Sequence, residues 1–132
     1  MRRPLTTAAL AFLAANLLHT ADHFRQGVGS LTAEILVAGT GLTLSAAVVL
    51  VLVVRDHPRA PLFAVVAGFS GAAGILASHV APHWSALSDP YPAIGADALS
   101  WIVMLIEVGT ALALGAAGLR ASGARAPTPR RA

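Results

Sequence analysis

Four of the five histidines in this chain fall into two pairs of identical spacing, His19/His23 and His79/His83. Residues four apart on a helix lie one turn above another on the same face, so each His-x-x-x-His aims two imidazoles in one direction. Imidazole nitrogen binds divalent metal, with Zn and Fe the favoured ions, and neighbouring carboxylates complete the shell or orient the rings. The chain has no cysteine, which excludes thiolate ligands, disulfides and cysteine nucleophiles, and leaves a soft Cu(I) site only Met1 and Met104. The same residues offer metal-free chemistry, because a histidine beside a carboxylate takes up and releases protons.

His19, Asp22, His23, Glu34, His79 and Asp97 are therefore the candidate reactive groups, with His19, His23, His79 and His83 the candidate metal ligands. Asp22 shares a helical face with His19, and Asn16 extends that face one turn deeper. Glu107 lies about 15 Å beyond Asp97 along a helix, which places a carboxylate at mid-membrane depth. Asn16, Trp84, Tyr91, Trp101 and Glu107 are candidate pocket residues. Each has a plainer reading. His23, His83 and Asp89 suit a membrane interface, Trp84 and Tyr91 suit interfacial anchors, and Trp101 suits packing. Asp97 suits an N-cap, Arg25 suits pairing with Asp22, and His57 suits a solvated turn.

The elements that must carry these residues follow from composition. Of 132 residues, 56% are hydrophobic and 11% charged, too little polar surface to coat a soluble globule. Four apolar spans, 5–21, 31–54, 61–80 and 98–119, come close to the roughly 20 residues that cross a bilayer as helix. The expected fold is all-α, a polytopic membrane four-helix bundle forming one domain over 1–120, followed by a disordered basic tail over 121–132. The opening Arg2-Arg3-Pro4 and Ala/Leu run also resembles a signal peptide. His19, however, occupies a position where cleavage before Asp22 would need a small residue, so the first span is expected to be retained.

All nine basic residues are arginines, and they are one-sided. Arg2, Arg3, Arg55, Arg59, Arg120, Arg125, Arg130 and Arg131 fall on one side of a four-span arrangement, and Arg25 on the other. That puts both termini in the cytoplasm and the histidine pairs toward the outer face of the plasma membrane. Basic residues at span ends form no single patch, so nucleic acid is not an expected partner, whereas anionic membrane lipid is. Small-residue stripes, Ala67/Gly71/Gly74/Ser78 on the third span and Gly39/Thr43 and Gly41/Ser45 on the second, are expected to let helices pack closely. The segment 81–97, with Pro82, Pro90 and Pro92, is the candidate lid.

The His-x-x-x-His pairs resemble fragments of the histidine boxes of membrane fatty-acid desaturases and hydroxylases, whose di-iron centres use a larger histidine set on the cytoplasmic side. Five histidines and an outer-face placement depart from that pattern. A likeness to four-helix membrane cytochromes implies, as the lesser alternative to Zn or Fe, haem held between His19 and His79.

The functional expectation is an outward-facing His/Asp/Glu pocket that binds or transforms a small lipophilic molecule by metal-assisted or acid–base chemistry. Two other classes stand beside it. One is proton or divalent-cation transport through Glu107. The other is a structural subunit, either of a homo-oligomer or of a larger membrane complex.

Overall fold

A computed structural model describes residues 2–27, 29 and 31–123. Four long helices, α1 (Arg2–Gln26), α2 (Ala33–Val54), α3 (Ala60–His79) and α5 (Ala98–Gly123), are joined by short turns and by a longer segment carrying the one-turn α4 (Tyr91–Ile94). No strand occurs among the described residues. All four long helices are long and apolar enough to cross a membrane. The most apolar 18-residue stretch has a mean hydropathy of 1.2 in α1 and of 1.8, 2.4 and 2.0 in α3, α2 and α5.

Local chemistry sets the helix ends. α1 continues past the expected residue 21 because its polar last turn is bonded within itself: Arg25 Nε and Gln26 Nε2 donate to the Asp22 carboxylate, each at 2.7 Å. It stops at Gly27, whose φ of 98° suits a residue without Cβ and whose amide donates to the His23 carbonyl at 3.0 Å. α2 is capped by the Thr32 hydroxyl, which accepts from the Ile35 amide at 3.2 Å. Pro61 opens α3 in its first turn. Asp97 caps α5 as expected, its Oδ1 accepting from the Ser100 amide at 3.0 Å. α5 runs to Gly123, into the segment expected to be tail. Residues 124–132 lie outside the described residues, and so do Arg125, Arg130 and Arg131.

α5 packs against both α1 and α3, and α2 lies against α1 and α3. Large apolar side chains such as Leu17, Val37, Val66, Ile102 and Leu105 point outward. The interior holds Ala9, Phe12, Ala64, Ala111 and Leu114 together with the polar groups Asn16, His19, Asp22, His79, Ser100 and Glu107. Apolar side chains outward and polar groups inward is a distribution consistent with a membrane helical bundle, in which small residues bring helices together.

The expected small-residue stripes serve helix contact only in part: Gly71 is buried, and a Cβ there would stand 3.2 Å from Leu42 of α2 and 3.4 Å from Phe12 of α1. α3 and α5 meet at Gly68, where an added Cβ would collide with Gly115 and stand 2.6 Å from the Ala111 carbonyl. At Gly118 it would stand 2.7 Å from the Pro61 carbonyl. Gly39, Gly41 and Gly74, by contrast, have open space where a Cβ would go. The contact face of α3 therefore passes through Gly68, and the Gly71/Gly74/Ser78 stripe borders a cavity.

The 81–97 segment is fastened into the bundle end. The Asp89 amide donates to the Ser78 carbonyl at 2.9 Å, and the Thr32 hydroxyl donates to the Ala86 carbonyl at 2.5 Å. Ser88, Asp89, Pro90 and Tyr91 are buried. Gly95, at φ 66°, ends α4 and turns the chain into α5.

Candidate functional site

The last turns of α1 and α3, the buried Tyr91 of α4 and the middle of α5 converge near the bundle end that carries Gln26, His79 and Asp97. His19 is at the centre. Its Nδ1 bonds the Glu107 carboxylate, and its Nε2 lies 2.9 Å from the Tyr91 hydroxyl. Burial pushes the Tyr91 phenol above its ordinary value, so the hydroxyl keeps its proton. Tyr91 then donates to Nε2, which makes Nδ1 the protonated nitrogen that donates to Glu107. Glu107 also accepts from Asn16 Nδ2 at 2.7 Å, and the Thr43 hydroxyl donates to Asn16 Oδ1 at 2.6 Å. A fully shielded carboxylate is thus held by α1 and, one bond further out, by α2.

His79 is fixed in a parallel way. Its Nδ1 lies 3.2 Å from the Asp89 carbonyl. A carbonyl only accepts, so Nδ1 carries the proton and Nε2 keeps its lone pair. His23, half-buried, stacks on His19 with ring centroids 4.7 Å apart, and lies 5.3 Å from His79. His19 and His79 are 4.9 Å apart. One nitrogen from each of His19, His23 and His79 lies within 4.8 Å of the others, a group that could hold a metal ion. Zn–N bonds of about 2.0–2.1 Å would require the three nitrogens to draw in by about 1 Å. The donor set fits. Two of the three imidazoles have a second bond at the distal nitrogen, from a carboxylate and from a backbone carbonyl, as metal-ligating histidines commonly do.

Other expected site residues lie elsewhere. His83 is exposed and outside the trio, because α3 ends at His79 and the four-residue helical register stops there. Glu34 is exposed on the first turn of α2, and His57 is exposed in the α2–α3 turn. Asp22 and Asp97 form a neighbouring ionic cluster. Arg25 donates to Asp22 at 2.7 Å, to both oxygens of Asp97 at 2.9 Å and to the Ser100 hydroxyl at 2.9 Å, tying the end of α1 to the start of α5. The Arg25 guanidinium, followed by the Ser100 amide, holds the Asp97 carboxyl down to about 2.

Trp101 packs edge-on against Tyr91, with centroids 5.5 Å apart. Trp84, half exposed, donates from Nε1 to the Ala77 carbonyl at 2.8 Å. The direct Tyr91–His19 bond, the Asp89 carbonyl and Thr43 were not among the expected reactive groups. The one available signal was a lone tyrosine set between Pro90 and Pro92.

Beside the trio lies a cavity of about 420 Å³, within the size range of small-molecule sites. α1 supplies His19, Thr20 and His23. α2 supplies Gly39 and Leu42, and α3 supplies Gly71, Gly74 and His79, with Trp84 and Leu87 from the following segment and Glu107 behind. No protein-family model, no curated protein and no solved structure matches this chain.

Proposed function

We propose that this is a multi-pass plasma-membrane protein, with both termini cytoplasmic, that holds a divalent metal ion on His19, His23 and His79. In this reading the ion faces a cavity for a small lipophilic molecule. The observation carrying the proposal is the convergence of three imidazole nitrogens within 4.8 Å, two of the rings being oriented from behind by Glu107 and by the Asp89 carbonyl. Arg3, Arg55, Arg59 and Arg120 lie at the opposite helix ends from the trio, which supports an outer position for the histidines.

Zn or Fe suits an all-imidazole set. When bound, such an ion polarises a ligand oxygen or lowers the pKa of water. The chain's own residues do the positioning: Glu107 orients His19 and supplies compensating negative charge, and the Asp89 carbonyl orients His79. The Tyr91 hydroxyl, bonded to His19 Nε2, would have to release that nitrogen to the ion. Haem between His19 and His79 fits less well, since His23 stands within 5.3 Å of both rings, where a porphyrin would extend.

A second reading rests on His19 having both nitrogens bonded. Tyr91, His19 and Glu107 form a relay suited to acid–base chemistry without metal. Transport has less support. On the arginine side of Glu107 the interior of α5 continues as Val108, Ala111 and Leu114, all buried and apolar.

Metal analysis of the purified protein tests the proposal. Near-stoichiometric Zn or Fe that is lost in both His19→Ala and His79→Ala is the expected result. A wild-type protein that takes up neither ion, even when resupplied, would remove the metal and leave the relay.

A further inference from the structure

The polar atoms of the cavity wall are unevenly placed. Thr20, Ser45 and Ser70 donate their hydroxyl protons to carbonyls of their own helices, those of Asn16, Gly41 and Val66, at 2.9, 2.7 and 2.7 Å. The Trp84 indole N–H is taken up by the Ala77 carbonyl. What remains for a ligand is concentrated at one end: Ser78, His23 and the Nε2 of His79. His79 is only 5% exposed, and its one hydrogen bond among the described residues is made by the other ring nitrogen. The rest of the wall is aliphatic side chain and glycine.

The cavity is also open on a particular side. α1 contributes His19, Thr20 and His23 to the wall, α5 contributes Glu107, and the segment after α3 contributes Trp84 and Leu87. On the flank, Ala38 and Gly39 of α2 and Gly74 of α3 are exposed, and a Cβ at Gly39 or Gly74 would meet nothing within 4 Å. Neighbouring Val37 and Leu76 are exposed apolar residues that would face hydrocarbon. The charge of the polar end is acidic. Asp22, Asp89 and Glu107 act on His23 from around it, and the nearby Arg25 guanidinium is already engaged by Asp22 and Asp97. An anionic headgroup would be repelled there.

We infer that the cavity takes an uncharged amphiphile, an apolar chain or ring system ending in a single oxygen function such as an alcohol, ketone or quinone. It enters from the outer leaflet between α2 and α3, with its oxygen directed at His23 and His79. This rests on the outer-face reading proposed above; uptake of an uncharged chain holds for either form of the site, whereas discrimination against the acid belongs to the metal-free form, because a divalent ion on the trio would attract a carboxylate. The small residues of α2 and α3 are then the door: their missing side chains make the space that the chain of the amphiphile fills.

A long-chain primary alcohol carrying a mid-chain diazirine, photolysed with the protein in lipid nanodiscs, tests this, with the carboxylic acid of the same chain as comparison. Expected is labelling at Leu42 or Ile75, competed by the unmodified alcohol and abolished in Gly39→Leu and Gly74→Leu, and, in protein stripped of metal by a chelator, at least about tenfold weaker with the acid. Labelling confined to lipid-facing residues such as Val37, or indifferent to charge and to competitor, overturns the inference. Competition in the wild type decides the matter even if the leucine variants do not fold. Metal content of the same samples separates the two readings. Metal without competed labelling removes the amphiphile and leaves the metal centre, and competed labelling without metal does the reverse.

Discussion

Glu107, near the middle of α5, receives the Nδ1 proton bond of His19, 88 positions earlier in the chain, and is completely shielded from solvent. A buried carboxylate is stable only with its oxygens bonded, and Asn16 and His19 together provide that. The same bond fixes which His19 nitrogen is left toward His23 and His79.

Glu107→Gln would keep the shape but set an amide N–H₂ among donors, since Asn16 Nδ2 and His19 Nδ1 both point at the site. Metal affinity, measured by chelator competition, is expected to fall about 10–100-fold, as for other partners of metal-ligating histidines. Unchanged affinity would disconnect Glu107 from the centre.

Tyr91→Phe removes the hydroxyl that occupies His19 Nε2 while retaining the ring packed between His79 and Trp101. Stability is expected to drop by about 1 kcal/mol for the lost bond, whereas metal uptake becomes faster because Nε2 is free. Slower uptake would make the phenol a ligand instead of a competitor.

Two glycines of α3 should respond oppositely to alanine. Gly68→Ala forces a Cβ against the backbone of α5 and should cost about 1–3 kcal/mol, seen as a lower Tm in detergent. Gly74→Ala enters open space and should be neutral or stabilising by up to about 1 kcal/mol through helix propensity. Equal effects would contradict the assignment of Gly68 to helix contact and Gly74 to the cavity.

The Arg25–Asp97 link has a defined pH response. Asp97 is lowered from 3.8 to about 2 in the folded protein, so its contribution is complete above the unfolded value and is lost as pH falls through about 2. The Tm difference between wild type and Asp97→Asn should therefore be constant from about pH 8 to about pH 5 and shrink below about pH 4. A difference already fading at pH 6 would assign the effect to a histidine.

The helices were legible in the sequence because being long and apolar enough to cross a membrane is a local property of each span. A span must be long and apolar by itself, and α2, α3 and α5 begin within two residues of their expected starts. α1 was read too short, since the polar residues that appear to end it are bonded within its own last turn through Asp22. The Asp97 cap was readable for the same local reason.

The composition of the site was legible only in part. His-x-x-x-His spacing aligned His19 with His23 through one helix, but applied to His79 and His83 it assumed a helix that ends at His79. Which residues meet is a matter of how helices rotate and how the 81–97 segment returns, and those depend on contacts between distant parts of the chain. Gly68 against Gly115 sets the approach of α3 to α5, and the bonds from Asp89 and Thr32 hold the returning segment so that Tyr91 reaches His19. The sequence by itself determined the four apolar helices and the placement of most histidines and carboxylates near one end. The tertiary structure decided that His19, His23 and His79 share a centre, that Glu107 and Tyr91 bracket it, and that the small residues of α2 and α3 border a cavity. Pairing across 88 residues depends on the packing of whole helices, which no local spacing encodes.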